Sequence, residues 1–177
     1  GNQGLCPVPD ELLPPIGTLG FRVQRYGMFQ WGDLLTARQK AVLVWLCGEL
    51  SRITRDECAE VLACALSRVA MSGMSCTRWN AFAEKMQHTF GRQALPIVWD
   101  FAEVVATADA PGNWESEYQL ISEVIERSRS SSVGQVQLAD ATEHPLPDDT
   151  AHVWFTDPPY YDAVPYADLS DFFFVWL

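Results

Sequence analysis

The sequence lacks most of the features that announce an address, a metal or a scaffold. No apolar run approaches the roughly 20 residues that span a bilayer, and the N-terminus has no basic start followed by an apolar stretch. A soluble, cytoplasmic protein with no membrane partner is expected. Cys6, Cys47, Cys58, Cys64 and Cys76 are odd in number and form no C-x-x-C pair, which argues against a disulfide framework and against zinc. Free thiols buried in a reducing compartment are expected instead. His88, His144 and His152 have no partner at metal spacing, so no metal site and no catalytic histidine is assigned. There is no internal repeat, and the Ser128 to Ser132 cluster is the only biased tract, which excludes a solenoid.

Basic charge is scarce as well. Twelve Lys and Arg stand against 23 Asp and Glu, a net charge of −11, which as a bulk number argues against nucleic acid. The distribution is uneven. Residues 20–100 hold ten bases and seven acids, whereas residues 101–177 hold two bases and 14 acids. The mildly basic middle offers Arg22, Arg25, Arg38, Lys40, Arg78 and Arg92 as phosphate contacts or as a solvated helix surface.

What is present suits one domain with a real core: 177 residues, 48% of them apolar. Residues 1–20, with Pro7, Pro9, Pro14 and Pro15, read as an extended connector. Residues 21–130 read as a helical region. Thr36-Ala37-Arg38-Gln39 is a capping box, and Val42, Leu43, Leu46 and Leu50 recur at helical spacing, predicting a helix from about Ala37 to Ser51. A second capping box, Thr54 to Glu57, leads into Val61, Leu62, Ala65, Leu66 and Val69, ending near Gly73. Trp79 to Phe90 reads as a third helix, Pro96 to Val105 as a helix by its leading proline, and Glu115 to Arg127 as a further one. Trp31, Trp45, Trp79, Trp99 and Trp114 read as core or interface aromatics.

Residues 131–177 change character. Val133 to Leu138 alternates like a strand and ends at Ala139-Asp140-Ala141-Thr142. Val153-Trp154-Phe155-Thr156 is a second apolar run, stopped by Asp157-Pro158-Pro159-Tyr160. Leu169, Phe172, Phe173 and Trp176 then fall at i, i+3, i+4 and i+7, a helix whose aromatic stripe should pack on a sheet. Tyr166, Asp162 and Asp168 face a pocket mouth or simply water.

Asp157-Pro158-Pro159-Tyr160 has a chemistry of its own. A nucleobase amine is a weak nucleophile because its lone pair is spread into the ring, and two acceptors, the Asp157 carboxylate and the Pro158 carbonyl, would localise that pair. A fixed anion beside a nitrogen that becomes cationic stabilises the transition state more than the ground state. Neither proline has an N–H to compete, and both hold φ narrowly. Tyr160 offers a face on which an extruded base can stack.

The four residues resemble the catalytic motif of S-adenosylmethionine-dependent amino-methyltransferases. Asp157 to Leu177 as a whole is similar to the adenine-specific DNA methylases that carry a zinc ribbon. So are Phe21 to Gly27, Trp31 to Leu34 and Thr89 to Pro96. The resemblance implies an α/β, Rossmann-like class I methyltransferase fold, with residues 131–177 as a partial catalytic domain holding two strands of its parallel sheet. It further implies S-adenosylmethionine as cofactor, double-stranded DNA with base flipping as partner, and adenine as the methylated base. Catalytic roles fall to Asp157, Pro158, Pro159 and Tyr160, and Asp140 would accept a hydrogen bond from the cofactor's adenine. Three alternatives stay open: an RNA base as substrate, a non-catalytic helical interaction module, and Asp140 as a plain Asx turn.

The family's glycine-rich cofactor turn has no counterpart in these residues, and the ribbon's cysteines are missing too. A piece of a longer enzyme is therefore expected, one whose two strands would not be neighbours in the complete sheet. Expressed alone, the 177-residue chain is predicted to aggregate and to transfer no methyl group, because unpaired strand edges and an uncovered aromatic stripe invite association. Methyl transfer by the purified chain alone would contradict this.

Overall fold

The computed structural model describes residues 6–53, 57–87, 89–140, 142–143 and 145–177. Thr54, Arg55 and Asp56 of the second capping box, together with His88, Ala141 and His144, lie outside them.

Residues 9–13 lie back against residues 29–32. Leu13 N–H donates to the Phe29 carbonyl at 2.8 Å and Trp31 N–H to Glu11 at 3.1 Å, so the expected connector is tied to the residues that follow it. Gly32 N–H donates to Pro9 at 3.0 Å, and a Cβ at Gly32 would lie 2.7 Å from that same carbonyl oxygen, so only glycine fits there. Two 3₁₀ turns, Val23–Tyr26 and Trp31–Leu34, place Val23, Trp31 and Leu34 in the interior.

Helix α1 spans Ala37–Leu50. Its expected capping box is formed: the Thr36 hydroxyl accepts from Gln39 N–H at 3.3 Å, and Gln39 Oε1 accepts from Thr36 N–H at 2.8 Å. Helix α2 spans Glu57–Ser72 and packs on α1 through Leu66, Val69 and Ala70. Helix α3, Trp114–Arg127, starts at Asn113, whose side chain accepts from Ser116 N–H at 2.6 Å. Arg68 of α2 and Glu117 of α3 join these helices by a 2.5 Å ion pair.

Two expected helices are absent. Trp79 to Phe90 instead forms an antiparallel hairpin, β1 Trp79–Asn80 and β2 Lys85–Met86, in the register Trp79 with Met86 and Asn80 with Lys85. The Asn80 side chain accepts from the N–H groups of Phe82 and Ala83, both at 3.1 Å, and Glu84 sits at φ 48°, closing a four-residue loop. This local turn outweighs the helix propensity of Ala, Glu and Lys. Pro96 to Val105 is irregular: Leu95 N–H pairs with Gly20 and Phe21 bridges Leu95, which draws that segment into the N-terminal fold.

The fold is thus mixed helix and strand, and among the described residues its sheet has two antiparallel strands. Among the described residues no parallel sheet is formed. Residues 133–138 and 153–155, expected as strands, run without regular structure, with Val133, Val136 and Leu138 fully exposed and Phe155 91% exposed. Strands need ladder partners for their backbone groups, and among the described residues neither run is paired in a sheet.

Helix α4, Tyr166–Phe174, returns to the core. Its aromatic stripe packs on helices and loops instead of a sheet. Phe172 is fully buried, 6.2 Å from Trp31 and 5.5 Å from Phe90 between ring centroids, and the Cys47 thiol lies 3.4 Å from the Trp176 carbonyl. Trp31 joins Trp176 in the core and Trp114 packs partly buried against it, whereas Trp45, Trp79 and Trp99 are exposed. The thiols also divide: Cys76 is buried, whereas Cys6, Cys58 and Cys64 are exposed, because α2 turns the latter two outward.

Two outcomes follow. Phe172→Ala should lower stability by about 3–5 kcal/mol in urea unfolding, the range for a large aromatic lost from a core; a change under about 1 kcal/mol would mean that α4 is not part of the core. Burial pushes the Cys76 thiol up to about 11 from 9.0. Its neutral form is favoured in the fold, so this contribution is fully present below pH 9 and is lost as pH rises toward about 11. In the native protein near neutral pH, thiol reagents should label Cys6, Cys58 and Cys64 and spare Cys76 until denaturant is added.

Candidate functional site

Asp157 follows an extended, exposed stretch and is itself exposed. Among the described residues the ion pairs are Arg38–Glu103, Arg52–Glu49, Arg68–Glu117 and Arg127–Glu123, so no guanidinium clamps the Asp157 carboxylate. Pro158 and Pro159 are exposed, and Tyr160 presents 67% of its surface. The loop then turns: Ala163 N–H reaches the Tyr160 carbonyl at 3.4 Å, with Asp162 left-handed at φ 49°, and α4 starts at Tyr166. Helix α4 therefore anchors the motif to the core from its C-terminal side.

Asp140 forms an Asx turn. Its Oδ1 accepts from Thr142 N–H at 2.8 Å and from the Thr142 hydroxyl at 2.7 Å, and these two bonds, the hydroxyl's first, hold its carboxyl below the usual carboxylate range. Both bonds fall on the same oxygen. Oδ2 takes part in neither bond. Asp140 and Asp157 both stand in the exposed segment that joins α3 to α4.

Among the described residues two clefts stand out on the folded body, and neither is lined by residues 131–177. The larger, about 1050 Å³, lies between the hairpin, α2 and the start of α3. Arg68, Arg78, Lys85 and Arg92 line it, with Glu117 the one acid, already paired with Arg68. Of the bases singled out from sequence, Arg78 and Arg92 meet here, while Arg38 is taken by Glu103 at 2.5 Å. Lys85 escapes a helical reading of Trp79 to Phe90, which scatters residues that a hairpin aligns, and Arg68 stands on α2, whose place beside the hairpin only the tertiary fold sets. The signal was the alternation Arg78, Asn80 and Lys85, Gln87 about a short turn.

The smaller cleft, about 430 Å³, is mainly apolar and lies between α1 and residues 103–107. Tyr166, Asp162 and Asp168 line neither cleft. Among the described residues no group of three His, Cys, Asp or Glu is placed to hold a metal ion, and no helix is long and apolar enough to cross a membrane. In comparisons with known proteins no family model, no curated protein and no solved structure matches this chain.

Proposed function

We propose that this chain carries the catalytic segment of an S-adenosylmethionine-dependent methyltransferase acting on the exocyclic amine of adenine in DNA. The reading rests on one observation: Asp157-Pro158-Pro159-Tyr160, with its carboxylate and its aromatic ring both open to a ligand. In the assembled enzyme, Val133 to Leu138 and Val153 to Phe155 become strands of a parallel, Rossmann-like sheet whose remaining strands come from sequence bearing the glycine-rich cofactor turn. Their exposed apolar side chains are what such a sheet would cover.

The division of labour follows from the acceptors. Asp157 and the Pro158 carbonyl each take one N–H of the target amine, which leaves its lone pair directed outward. Pro159 keeps the loop stiff, and Tyr160 stacks on the extruded base. When bound, S-adenosylmethionine supplies an electrophilic methyl group, and Oδ2 of Asp140 is the acceptor on this chain suited to the cofactor's adenine. As the amine nitrogen gains positive charge, the Asp157 carboxylate stabilises it, and the surplus proton leaves to Asp157 or to water.

A second reading, a non-catalytic helical interaction module, draws support from the folded body being the helical region while the motif lines neither cleft. Cofactor binding separates the two, since the module binds none. In the full-length protein, Asp157→Ala is expected to reduce methyl transfer from labelled cofactor to DNA by at least about 10²-fold while cofactor binding is retained. Wild-type transfer by that variant would overturn the role, and transfer to RNA in preference to DNA would reassign the substrate.

A further inference from the structure

The hairpin β1–β2 combines three features that the motif does not explain. The first is its polar face. In the observed register Arg78 stands opposite Gln87, with Gln87 N–H donating to the Arg78 carbonyl at 2.9 Å, and Asn80 stands opposite Lys85. Side chains two apart in a strand share a face, so these four lie together, and all four line the large cleft. Arg92 joins them from the adjoining loop. Among the described residues Arg78, Lys85 and Arg92 belong to none of the ion pairs, so three cations stand free in a protein of net charge −11.

The second feature is the tip. Phe82 is 100% exposed, on a loop held by both Asn80 bonds. Burying a phenylalanine stabilises a fold by about 1.5–3 kcal/mol, so a fully exposed one on an ordered turn forgoes that gain. The third is the anchor. Behind the hairpin, Thr77 and Thr89 are buried with their hydroxyls 2.6 Å apart, each within 2.9 Å of the Met71 carbonyl at the end of α2. Either hydroxyl can donate to the Met71 carbonyl while the other donates to that hydroxyl, which fastens both sides of the stem to the helix.

We infer that the hairpin 78–87 is a nucleic-acid contact: Arg78, Lys85 and Arg92 hold backbone phosphates in the cleft, and Phe82 enters the base stack at the tip. A rigid two-stranded ribbon with cations along its stem and an apolar ring at its end suits this task, because phosphate contacts supply affinity while an apolar wedge fills the gap left by a displaced base. Gln87, with its carboxamide unengaged by the turn, supplies a neutral donor and acceptor beside them. The wedge half rests on the base-extruding reading of Asp157; the phosphate half does not.

The test uses the full-length protein and a short random-sequence DNA duplex. In a salt titration read by fluorescence anisotropy, the triple variant Arg78→Ala/Lys85→Ala/Arg92→Ala should bind at least about tenfold more weakly, with a log–log salt slope smaller by about 2.7, at about 0.9 per phosphate contact. Phe82→Ala should keep the wild-type slope but lose the fluorescence rise of a 2-aminopurine placed in a central mismatch, and Phe82→Trp should restore it. Unchanged urea midpoints would show that the exposed substitutions leave the fold intact. An unchanged slope in the triple variant, or no duplex binding by the wild type, overturns the phosphate contact; a full 2-aminopurine signal in Phe82→Ala overturns the wedge. Hairpin-dependent binding without methyl transfer would sink the methyltransferase reading alone, and methyl transfer indifferent to the hairpin would sink this inference alone.

Discussion

The structure depends on one aromatic contact, the seating of Phe172 between Trp31 and Phe90. Phe21 meets the edge of the same Trp31 at 6.1 Å. Segments far apart in sequence thereby share a single core: the N-terminal fold, the loop after the hairpin, and α4. Apolar burial is non-directional, so these rings have no need of a sheet to pack on. Helices α1 and α2 supply Leu43, Leu46, Leu66 and Val69 instead. The segment Asp157 to Tyr160 is then held to the body by the helix that follows it.

Between α3 and α4 the physics reverses. Val133, Val136, Leu138 and Phe155 are as hydrophobic as many core residues, yet they lie in water. A strand differs from a helix in that its backbone donors and acceptors are satisfied by another strand. The helices form because their hydrogen bonds close within the segment, and the two runs stay irregular because theirs cannot. The same distinction explains the hairpin, where two short strands adjacent in sequence are each other's partner.

Charge follows a similar partition. The acidic excess is spread along residues 101–177, much of it on exposed side chains, whereas four of the ten bases of residues 20–100 are gathered by the fold into one cleft. Glu117 is the exception, and Arg68 neutralises it at 2.5 Å. Net charge therefore says little about which ions a surface of this protein attracts; local field does.

Local signals were legible without coordinates. Thr36 and Gln39 named the start of α1, the reading of Glu115 to Arg127 as a helix matched α3, and Leu169, Phe172 and Phe173 named α4, but Tyr118, Val124 and Ile125, expected to face inward on α3, are exposed. Asp157-Pro158-Pro159-Tyr160 stood out by its chemistry and Asp140 by the resemblance, with an Asx turn as its alternative, and Asp140 does close such a turn. The amino-acid order by itself determined these elements because caps, periodic apolar faces and short polar motifs act within a few residues. Tertiary structure alone decided that residues 79–86 form a hairpin, that Arg68, Arg78, Lys85 and Arg92 share a cleft, and that α4 packs on helices. Each of those outcomes is set by partners distant along the chain, and no local pattern records which partner a buried ring or an unpaired strand will meet.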